Sequence, residues 1–362
     1  MLEQIKTAIS KIDELSRTKP IRIISHYDTD GITSAAIFSR AMQRWNKTFS
    51  LSITKELSEE YIKSLPENNI LIFLDLASNS LHHLKNKKTD IFIFDHHEII
   101  TKEIPQNIRI ISPFLANSEV IATSGICYLF AKTLSQRNKD LANLAIIGMI
   151  GDILEKEINK TYDSILKDAE SSVKRGLLLY PSTRPIDKVL EYSSNPYIPG
   201  VTGSFIGVSK LLQEANIKKD NGRYKSIYEM TDAEMSSLIT EVMLRCIGKN
   251  RTDNIIGNIF LVKWFNKLED AREISAAINA CSRMDFPEIA LKFCLNNNGA
   301  KQQAEKIYVE YKQHIISALK HIEESEKITG NKYTIINARD KIKDTIIGTV
   351  TSIISHSPIY EE

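Results

Sequence analysis

The first 115 residues alternate short apolar runs with helical patterns, and this alternation restricts the fold more than any other feature of the chain. The apolar runs are rich in β-branched residues and occupy residues 21–25, 49–54, 69–76, 90–97 and 109–113. Strands that alternate with helices form a mainly parallel sheet. Continuously apolar strands fit a sheet that is covered on both faces. The sequence therefore predicts an α/β fold with a mainly parallel five-stranded sheet flanked by helices.

The pattern changes along the rest of the chain, and the changes predict four parts. At 362 residues the chain is long for a single hydrophobic core. We predict a catalytic domain over residues 1–155 and a connecting segment over 156–199, where prolines interrupt the pattern. Residues 200–327 are predicted to be mostly helical. Residues 328–362 have the pattern of a strand and a helix that begin a further α/β domain.

The composition restricts the function only weakly. Lys plus Arg (47) nearly balance Asp plus Glu (45), so the net charge of +2 neither requires nor excludes a nucleic-acid partner. None of the four cysteines belongs to a CxxC pair, which favours free thiols in a reducing compartment. No apolar run approaches the ~18 residues of a membrane span. The N-terminal stretch has the pattern of an amphipathic helix rather than a signal peptide. We therefore expect a soluble, cytoplasmic protein.

Acidic residues and histidines follow three of the predicted strands, and a further Asp lies in an apolar helical run. They are His26, Asp28 and Asp30 after the first strand, Asp75 after the third, Asp95, His96 and His97 after the fourth, and Asp152 in GMIGDIL. Because ligands of open α/β sheets bind outside the carboxyl ends of the strands, we expect these residues to converge on one crevice. If the first strand continues through residues 28–30, the side chains of Asp28 and Asp30 point to one side.

A metal site accounts for the whole set of residues better than separate structural roles do. A single Asp after a strand is more often a turn or helix-capping residue, and Asp152 beside Gly151 alone is typical of a helix terminus. Several carboxylates at apolar strand ends, however, are costly to bury unless they are paired or bind metal. Histidine with carboxylates suits Mn²⁺ or a similar cation. Shared carboxylates hold two ions roughly 3.5–4 Å apart in phosphate-cleaving enzymes.

Together these stretches resemble the motifs of the DHH phosphoesterase superfamily. Residues 95–97 are the Asp-His-His signature itself, and DTDG (28–31), Asp75 and Asp152 resemble the first, second and fourth motifs. Further along, TSGICYLFAKTL, YIPGVTGS and INACSRMDFPEIAL resemble segments of the archaeal RecJ-like, GINS-associated proteins. The resemblance implies hydrolysis of phosphodiesters with two Mn²⁺ ions, or with Mg²⁺, and commonly exonucleolytic cleavage of single-stranded DNA or RNA.

The resemblance also implies a role for each residue. Asp28, Asp75 and Asp152 would hold one ion, and Asp30, Asp75, His96 and Asp152 would hold the other. A water whose pKa is lowered by the two cations would be the nucleophile. His97 would contact the scissile phosphate, and Asp95 would orient a histidine. His26 is a further candidate ligand, although many family members place this histidine four residues before the first Asp, where this chain has Ile24.

Residues that contact the substrate are harder to find in the sequence. Arg245, Lys249 and Arg251 lie near a predicted helix end and are candidates for phosphate contacts. The alternative is a solvated helix C-terminus whose positive charges complement the helix dipole. The family also has a C-terminal domain with a glycine-rich, histidine-containing motif, which this sequence lacks. We therefore expect the last residues to be an incomplete form of that domain, with weakened substrate binding and intact metal binding.

Three functions are compatible with these residues. The first is a Mn²⁺-dependent exonuclease that degrades single-stranded DNA or RNA in repair or replication. The second is a scaffold that binds GINS or another replication or repair protein, as does a eukaryotic relative of RecJ that has lost catalytic residues. The complete ligand set in this chain favours an enzyme. The third is a phosphodiesterase for short oligonucleotides or cyclic dinucleotides, and the large helical region after residue 200 argues against it.

Overall fold

The structure is a computed structural model of the 362-residue chain. It describes residues 1–99, 103–156, 158–193, 198–246, 255–330 and 333–355. Within these ranges, every helix is too short or too polar to cross a lipid bilayer.

Helices and strands alternate along the first part of the chain, and helices predominate in the later part. The first part contains α1 (Leu2–Leu15), β1 (Ile21–His26), α2 (Thr29–Arg44), β2 (Phe49–Thr54), α3 (Glu59–Ser64), β3 (Ile70–Leu74), α4 (Leu81–Leu84), β4 (Ile91–Phe94), β5 (Ile108–Ile111), α5 (Thr123–Leu134) and α6 (Ala142–Gly151). The later part contains α7 (Lys160–Asp168), β6 (Ser172–Leu177), α8 (Ile186–Glu191), α9 (Phe205–Glu214), α10 (Asp232–Cys246), β7 (Ile256–Trp264), β8 (Lys267–Asp270), α11 (Ala271–Arg283), α12 (Pro287–Cys294), α13 (Asn298–Glu324), β9 (Lys327–Gly330), β10 (Tyr333–Ile336) and α14 (Asp344–Ser355).

Strands β1 to β5 form one sheet, in the order β2-β1-β3-β4-β5, and every pair of neighbours is parallel. This arrangement confirms the predicted five-stranded parallel sheet. All residues of β3 and β4 are buried, as expected for strands covered on both faces. The register pairs Ser25 with Leu74 and Leu74 with Phe94. The three central strands therefore end level with one another, and the residues that follow them lie along one edge.

The turn from β1 into α2 determines where the first acidic residues lie. The strand ends at His26, and the carboxylate of Asp28 caps α2 by accepting a hydrogen bond of 2.9 Å from the backbone N–H of Gly31. The strand therefore does not run through residues 28–30, and Asp28 and Asp30 belong to the start of a helix. A Cβ at Gly31 would lie 2.3 Å from the carbonyl oxygen of His26, so only glycine fits this close approach.

The described residues pack into three hydrophobic clusters. The largest joins one face of the sheet and α2, α5 and α6 to helices α11 to α14 from the end of the chain. A second cluster, between residues 177 and 261, joins strands β6 and β7 of the antiparallel sheet β6-β7-β8 to helices α8 to α10. A third covers the other face of the large sheet. All four cysteines are buried free thiols, as their apolar surroundings predict.

The last described elements have the predicted order of a strand and a helix. The region predicted to be mostly helical ends in α13, which spans 27 residues. The predicted strand is β10, which pairs antiparallel with β9 in a hairpin. The predicted final helix is α14, and it buries Ile346 and Val350.

Candidate metal centre

Acidic and histidine side chains from several elements meet at the carboxyl edge of the large sheet. Among the described residues, three groups have ligand atoms that all lie within 4.8 Å of one another. These groups are His26, Asp28 and Asp75; Asp30, His96 and Asp152; and Asp75, His96 and His97. The convergence that the sequence predicts is therefore present in the structure, and His26 takes part in it.

The first group lies between the end of β1 and the start of α2. Nδ1 of His26 is 2.9 Å from Oδ2 of Asp28 and 3.4 Å from Oδ2 of Asp75. Nδ1 of His26 and Oδ2 of Asp75 are buried, and neither has a hydrogen-bond partner within the described ranges. Buried polar atoms are nearly always satisfied in proteins, so two unsatisfied ligand atoms that face each other fit a bound cation.

The second group lies between the end of β4 and the end of α6. Nε2 of His96 is 2.8 Å from Oδ2 of Asp152, 3.6 Å from Oδ1 of Asp75 and 4.0 Å from Oδ2 of Asp30. This nitrogen is also buried without a hydrogen-bond partner among the residues that the structure describes. Asp152 is the C-cap residue that directly follows α6, rather than an interior helix residue. Its position lets the carboxylate turn from the helix end toward the strand ends.

Asp75 lies between the two groups and directs one carboxylate oxygen toward each. Oδ2 faces His26, and Oδ1 faces His96. The backbone of Asp75 has φ +60°, which is uncommon for a residue other than glycine. Asp152, in contrast, joins only the group of Asp30 and His96. In this structure the shared position thus belongs to Asp75, whereas the resemblance implied that Asp152 is shared as well.

The N-terminus of α5 holds two of the carboxylates, and sequence reasoning gave its residues no role in the site. Oδ2 of Asp30 accepts a hydrogen bond of 2.7 Å from the backbone N–H of Thr123, and Oδ1 accepts one of 2.9 Å from that of Ser124. The hydroxyl of Thr123 donates to Oδ1 of Asp75 over 3.0 Å. The only available signal was the stretch TSGICYLFAKTL, in which nothing singles out the first threonine.

Asp95 contacts His97, a member of the third group, rather than a member of the first two groups. Its carboxylate accepts hydrogen bonds from the backbone N–H groups of Ser78 and His97, and its Oδ1 lies 2.6 Å from Nδ1 of His97. Asp95 raises the pKa of His97 through this contact. The imidazole of His97 is 45% exposed, while Asp95 is almost fully buried. Asp95 therefore fixes an exposed imidazole at the edge of the centre.

The electrostatics of the cluster favour a bound cation. Burial, reinforced by the charge of Asp152, raises the pKa of Asp30 to about 7. Burial and the neighbouring carboxylates also raise the pKa of Asp75 well above its usual value. Burial lowers the pKa of His96, but the 2.8 Å contact with the Asp152 carboxylate and the charge of Asp30 outweigh it and raise that pKa to about 9. Without a cation, the cluster thus retains protons that carboxylates normally lose.

Arg245, the one candidate substrate residue that the structure describes, forms its ion pairs outside this cluster. Arg245 lies in the last turn of α10 and forms ion pairs with Glu214 and Glu241. Its guanidinium charge is therefore already compensated within the protein. Lys249 and Arg251, the other two candidates, lie outside the described residues.

Comparisons with known proteins agree with the architecture. Residues 20–149 match the model of the DHH family, N-terminal domain, and residues 179–260 match that of the DHH-CID domain. The uncharacterized protein MJ0831 of Methanocaldococcus jannaschii is 26% identical over 342 residues, which cover 89% of this chain and 76% of that protein. The single-stranded-DNA-specific exonuclease RecJ of Bacillus subtilis is 26% identical over 170 residues, which cover 42% of this chain and 22% of RecJ.

Two solved structures share the fold over nearly all of this chain. CDC45 from Entamoeba histolytica superposes with a TM-score of 0.70 and 13% identity, covering 98% of this chain and 83% of CDC45. An exonuclease RecJ bound to manganese superposes with a TM-score of 0.57 and 16% identity, covering 97% and 77% of the two chains. Residues 20–149 are therefore similar to the N-terminal domain of the DHH family and residues 179–260 to the DHH-CID domain, on a fold that the chain shares with RecJ and CDC45.

Proposed function

We propose that this protein is a Mn²⁺-dependent phosphodiesterase that degrades single-stranded DNA or RNA from an end. The observation that carries the proposal is the set of three ligand groups at the carboxyl edge of the sheet, two of which contain Asp75. Three ligand atoms in these groups are buried without a hydrogen-bond partner among the described residues. Such atoms are expected to be satisfied by something, and their chemistry suits a divalent cation.

The donors are of the types that Mn²⁺ and Mg²⁺ bind. His26, Asp28 and Asp75 would hold one ion, and Asp30, Asp75, His96 and Asp152 would hold the other. Carboxylates with imidazole suit Mn²⁺, which also tolerates less regular surroundings than Mg²⁺ does. In this assignment Asp75 alone would be a ligand of both ions, whereas the family resemblance implies that Asp152 would be shared as well.

The reaction assigned to this centre is hydrolysis of a phosphodiester. Two bound cations supply positive charge that lowers the pKa of a water and neutralises the phosphate. Asp95 holds Nδ1 of His97, so Nε2 of this exposed imidazole is free to donate a hydrogen bond to a phosphate oxygen. Because Asp95 raises the pKa of His97, the protonated form that can donate is favoured.

Labelled oligonucleotides test this proposal directly. Single-stranded DNA and RNA, labelled at the 5′ or the 3′ end, are incubated with the protein and Mn²⁺, Mg²⁺ or EDTA. Wild type is compared with Asp75→Asn and His96→Ala. Asn is the suitable replacement at position 75 because it tolerates positive φ and removes only the charge. His82→Ala is the matched control, since His82 is an exposed histidine that belongs to none of the ligand groups.

We expect Mn²⁺-dependent cleavage by wild type and by His82→Ala, and a loss of at least roughly 100-fold in the other two variants. The label that is released first gives the polarity of cleavage. Absence of cleavage by a wild-type protein that binds Mn²⁺ would contradict the nuclease proposal. Binding to GINS or another replication protein would then be tested, as the scaffold hypothesis requires. Cleavage confined to oligonucleotides of a few residues would instead favour the small-substrate phosphodiesterase.

A further inference from the structure

The hydroxyl of Thr123 makes one hydrogen bond among the described residues, and this bond goes to Asp75, which belongs to two of the three ligand groups. Thr123 is the first residue of α5 and is fully buried. Its Oγ1 donates to Oδ1 of Asp75 over 3.0 Å, while its backbone N–H donates to Oδ2 of Asp30 over 2.7 Å. A single residue at one helix terminus therefore contacts carboxylates from two other elements.

The backbone N–H of Thr123 is a first-turn donor that needs a partner from outside the helix, but the contact of its hydroxyl is not explained by the needs of helix α5. A capping hydroxyl belongs at the N-cap, one residue earlier, where this helix has Ala122 and no side-chain cap. The hydroxyls of Thr33 and Thr133, which also lie in helices, bond a backbone carbonyl one turn back. The hydroxyl of Thr123 instead leaves its own helix and reaches the side chain of Asp75.

The bond determines how Asp75 is rotated. With Oδ1 held by Thr123, that oxygen lies 3.6 Å from Nε2 of His96. The other oxygen, Oδ2, is then directed to His26 and has no hydrogen-bond donor among the described residues. A rotation of the carboxylate about its Cβ–Cγ bond would remove one oxygen from each group. The hydroxyl is therefore placed where it can keep Asp75 in contact with both.

We propose that Thr123 is a positioning residue that holds Asp75 in the orientation needed to bridge two divalent cations. The inference rests on the two-ion centre of the proposed function. Groups that hydrogen-bond to metal ligands typically contribute 10- to 100-fold to metal affinity. Loss of the hydroxyl is expected to weaken binding of the second ion far more than binding of the first, because one ion alone does not require Asp75 to bridge.

Titration with Mn²⁺ followed by calorimetry tests the proposal without any substrate. Wild type is compared with Thr123→Val, which replaces the hydroxyl by a methyl group, and with Thr123→Ser, which restores the hydroxyl. Thr33→Val is the matched control, since Thr33 is equally buried and its hydroxyl bonds only backbone carbonyls of α2. Electron paramagnetic resonance of Mn²⁺ reports in parallel whether the two ions form a coupled pair.

We expect two ions in wild type, Thr123→Ser and Thr33→Val, with a coupled signal in each. In Thr123→Val we expect the second ion to bind roughly 10- to 100-fold more weakly and the coupled signal to be lost. Thermal unfolding in EDTA checks that each variant is folded, and Thr123→Ala replaces Thr123→Val if the added methyl group prevents folding.

The outcomes separate this inference from the proposed function. Wild type that binds two ions, with Thr123→Val or Thr123→Ala binding both equally well, overturns the role of Thr123 and leaves the metal centre intact. Thr123→Ser that binds as weakly as Thr123→Val also overturns it, because the methyl group and not the hydroxyl would then matter. Wild type that binds fewer than two ions overturns both the two-ion centre and this inference.

Discussion

Individual residues of the centre combine charge, burial and unusual backbone geometry at one place. Asp75 is buried, has positive φ and faces two other carboxylates, Asp28 and Asp30, across the strand ends. Each of these features is unfavourable in a folded protein when no cation is present. Features of this kind are found together at functional sites, where strain and charge are retained for chemistry rather than for stability.

The sequence could predict the types of residue in the centre but not all of their contacts. Asp28, Asp75 and His96 were recognisable because each follows an apolar strand in a known motif. Thr123 was not, because one threonine at the start of a helix has no distinctive pattern. The contact between Asp152 and His96 also depends on how α6 packs against the sheet, which no local pattern encodes.

Because Asp30 and His96 retain protons when no metal is bound, we expect the affinity for Mn²⁺ to depend on pH. In the absence of metal the pKa of Asp30 is about 7 and that of His96 is about 9, so both groups hold protons at pH 6. A metal ligand must lose its proton, so binding releases protons and the affinity must rise with pH. We expect an increase between pH 6 and 9 of up to about tenfold per pH unit for each proton released, which levels off above pH 9.

Calorimetric titrations at several pH values check this prediction. Repeating them in buffers of different ionisation enthalpy counts the protons that are released on binding. The count should fall as the pH rises, since fewer groups are then protonated before the ion arrives. A constant affinity from pH 6 to 9, with no protons released, would contradict the assignment of Asp30 and His96 as ligands.

At the scale of secondary structure, local patterns predicted the large sheet well and the smaller sheet poorly. Strands β3 and β4 are continuous apolar runs, β1 and β5 are mostly apolar, and β2 alternates apolar and polar residues, so their positions follow from the local pattern. Strand β7 lies in the region expected to be mostly helical, and it pairs with β6 from about 80 residues earlier. Strand pairing over such a distance depends on tertiary contacts more than on local propensity.

At the junction of β1 and α2, we expect a single added methyl group to lower the stability of the fold strongly. In Gly31→Ala the new Cβ would lie 2.3 Å from the carbonyl oxygen of His26. Because this oxygen is a backbone atom, the clash can be relieved only if the backbone shifts. We expect a loss of about 3 kcal/mol in the free energy of unfolding. Mn²⁺ binding should weaken as well, because His26 and Asp28 flank this contact.

Gly348→Ala is the matched control for this prediction. Gly348 lies within helix α14, and a Cβ there would meet no atom within 4 Å. The same substitution should therefore stabilise the protein by about 0.5–1 kcal/mol, because alanine loses less conformational entropy in a helix than glycine. Denaturant unfolding followed by circular dichroism measures both. Equal effects of the two substitutions would contradict the proposed role of the close approach at Gly31.

At the scale of the whole molecule, the metal centre lies where distant parts of the chain meet. Thr29, in the first turn of α2, donates a hydrogen bond of 3.1 Å to the backbone carbonyl of Ser275 in α11. Lys55, just after β2, forms an ion pair of 3.0 Å with Asp285, just after α11. The largest hydrophobic cluster also joins these parts. No sequence pattern reveals such packing, because it connects residues more than 200 positions apart.

Because the candidate metal centre lies where distant parts of the chain meet, we expect metal binding to stabilise the whole fold. When metal is absent, we expect Asp75 to destabilise the folded state. The folded-state pKa of Asp75 is raised well above its usual value, so its ionised form disfavours the folded state at any pH above about 4. Asp75→Asn should therefore unfold at a higher temperature than wild type in EDTA at pH 8.

An excess of Mn²⁺ at about 100 times its dissociation constant should stabilise wild type by about 2.7 kcal/mol, and Asp75→Asn by much less. Differential scanning fluorimetry measures both shifts, with His82→Ala expected to match wild type. If Asp75→Asn were less stable than wild type in EDTA and gained equally from Mn²⁺, Asp75 would be a structural residue rather than a metal ligand.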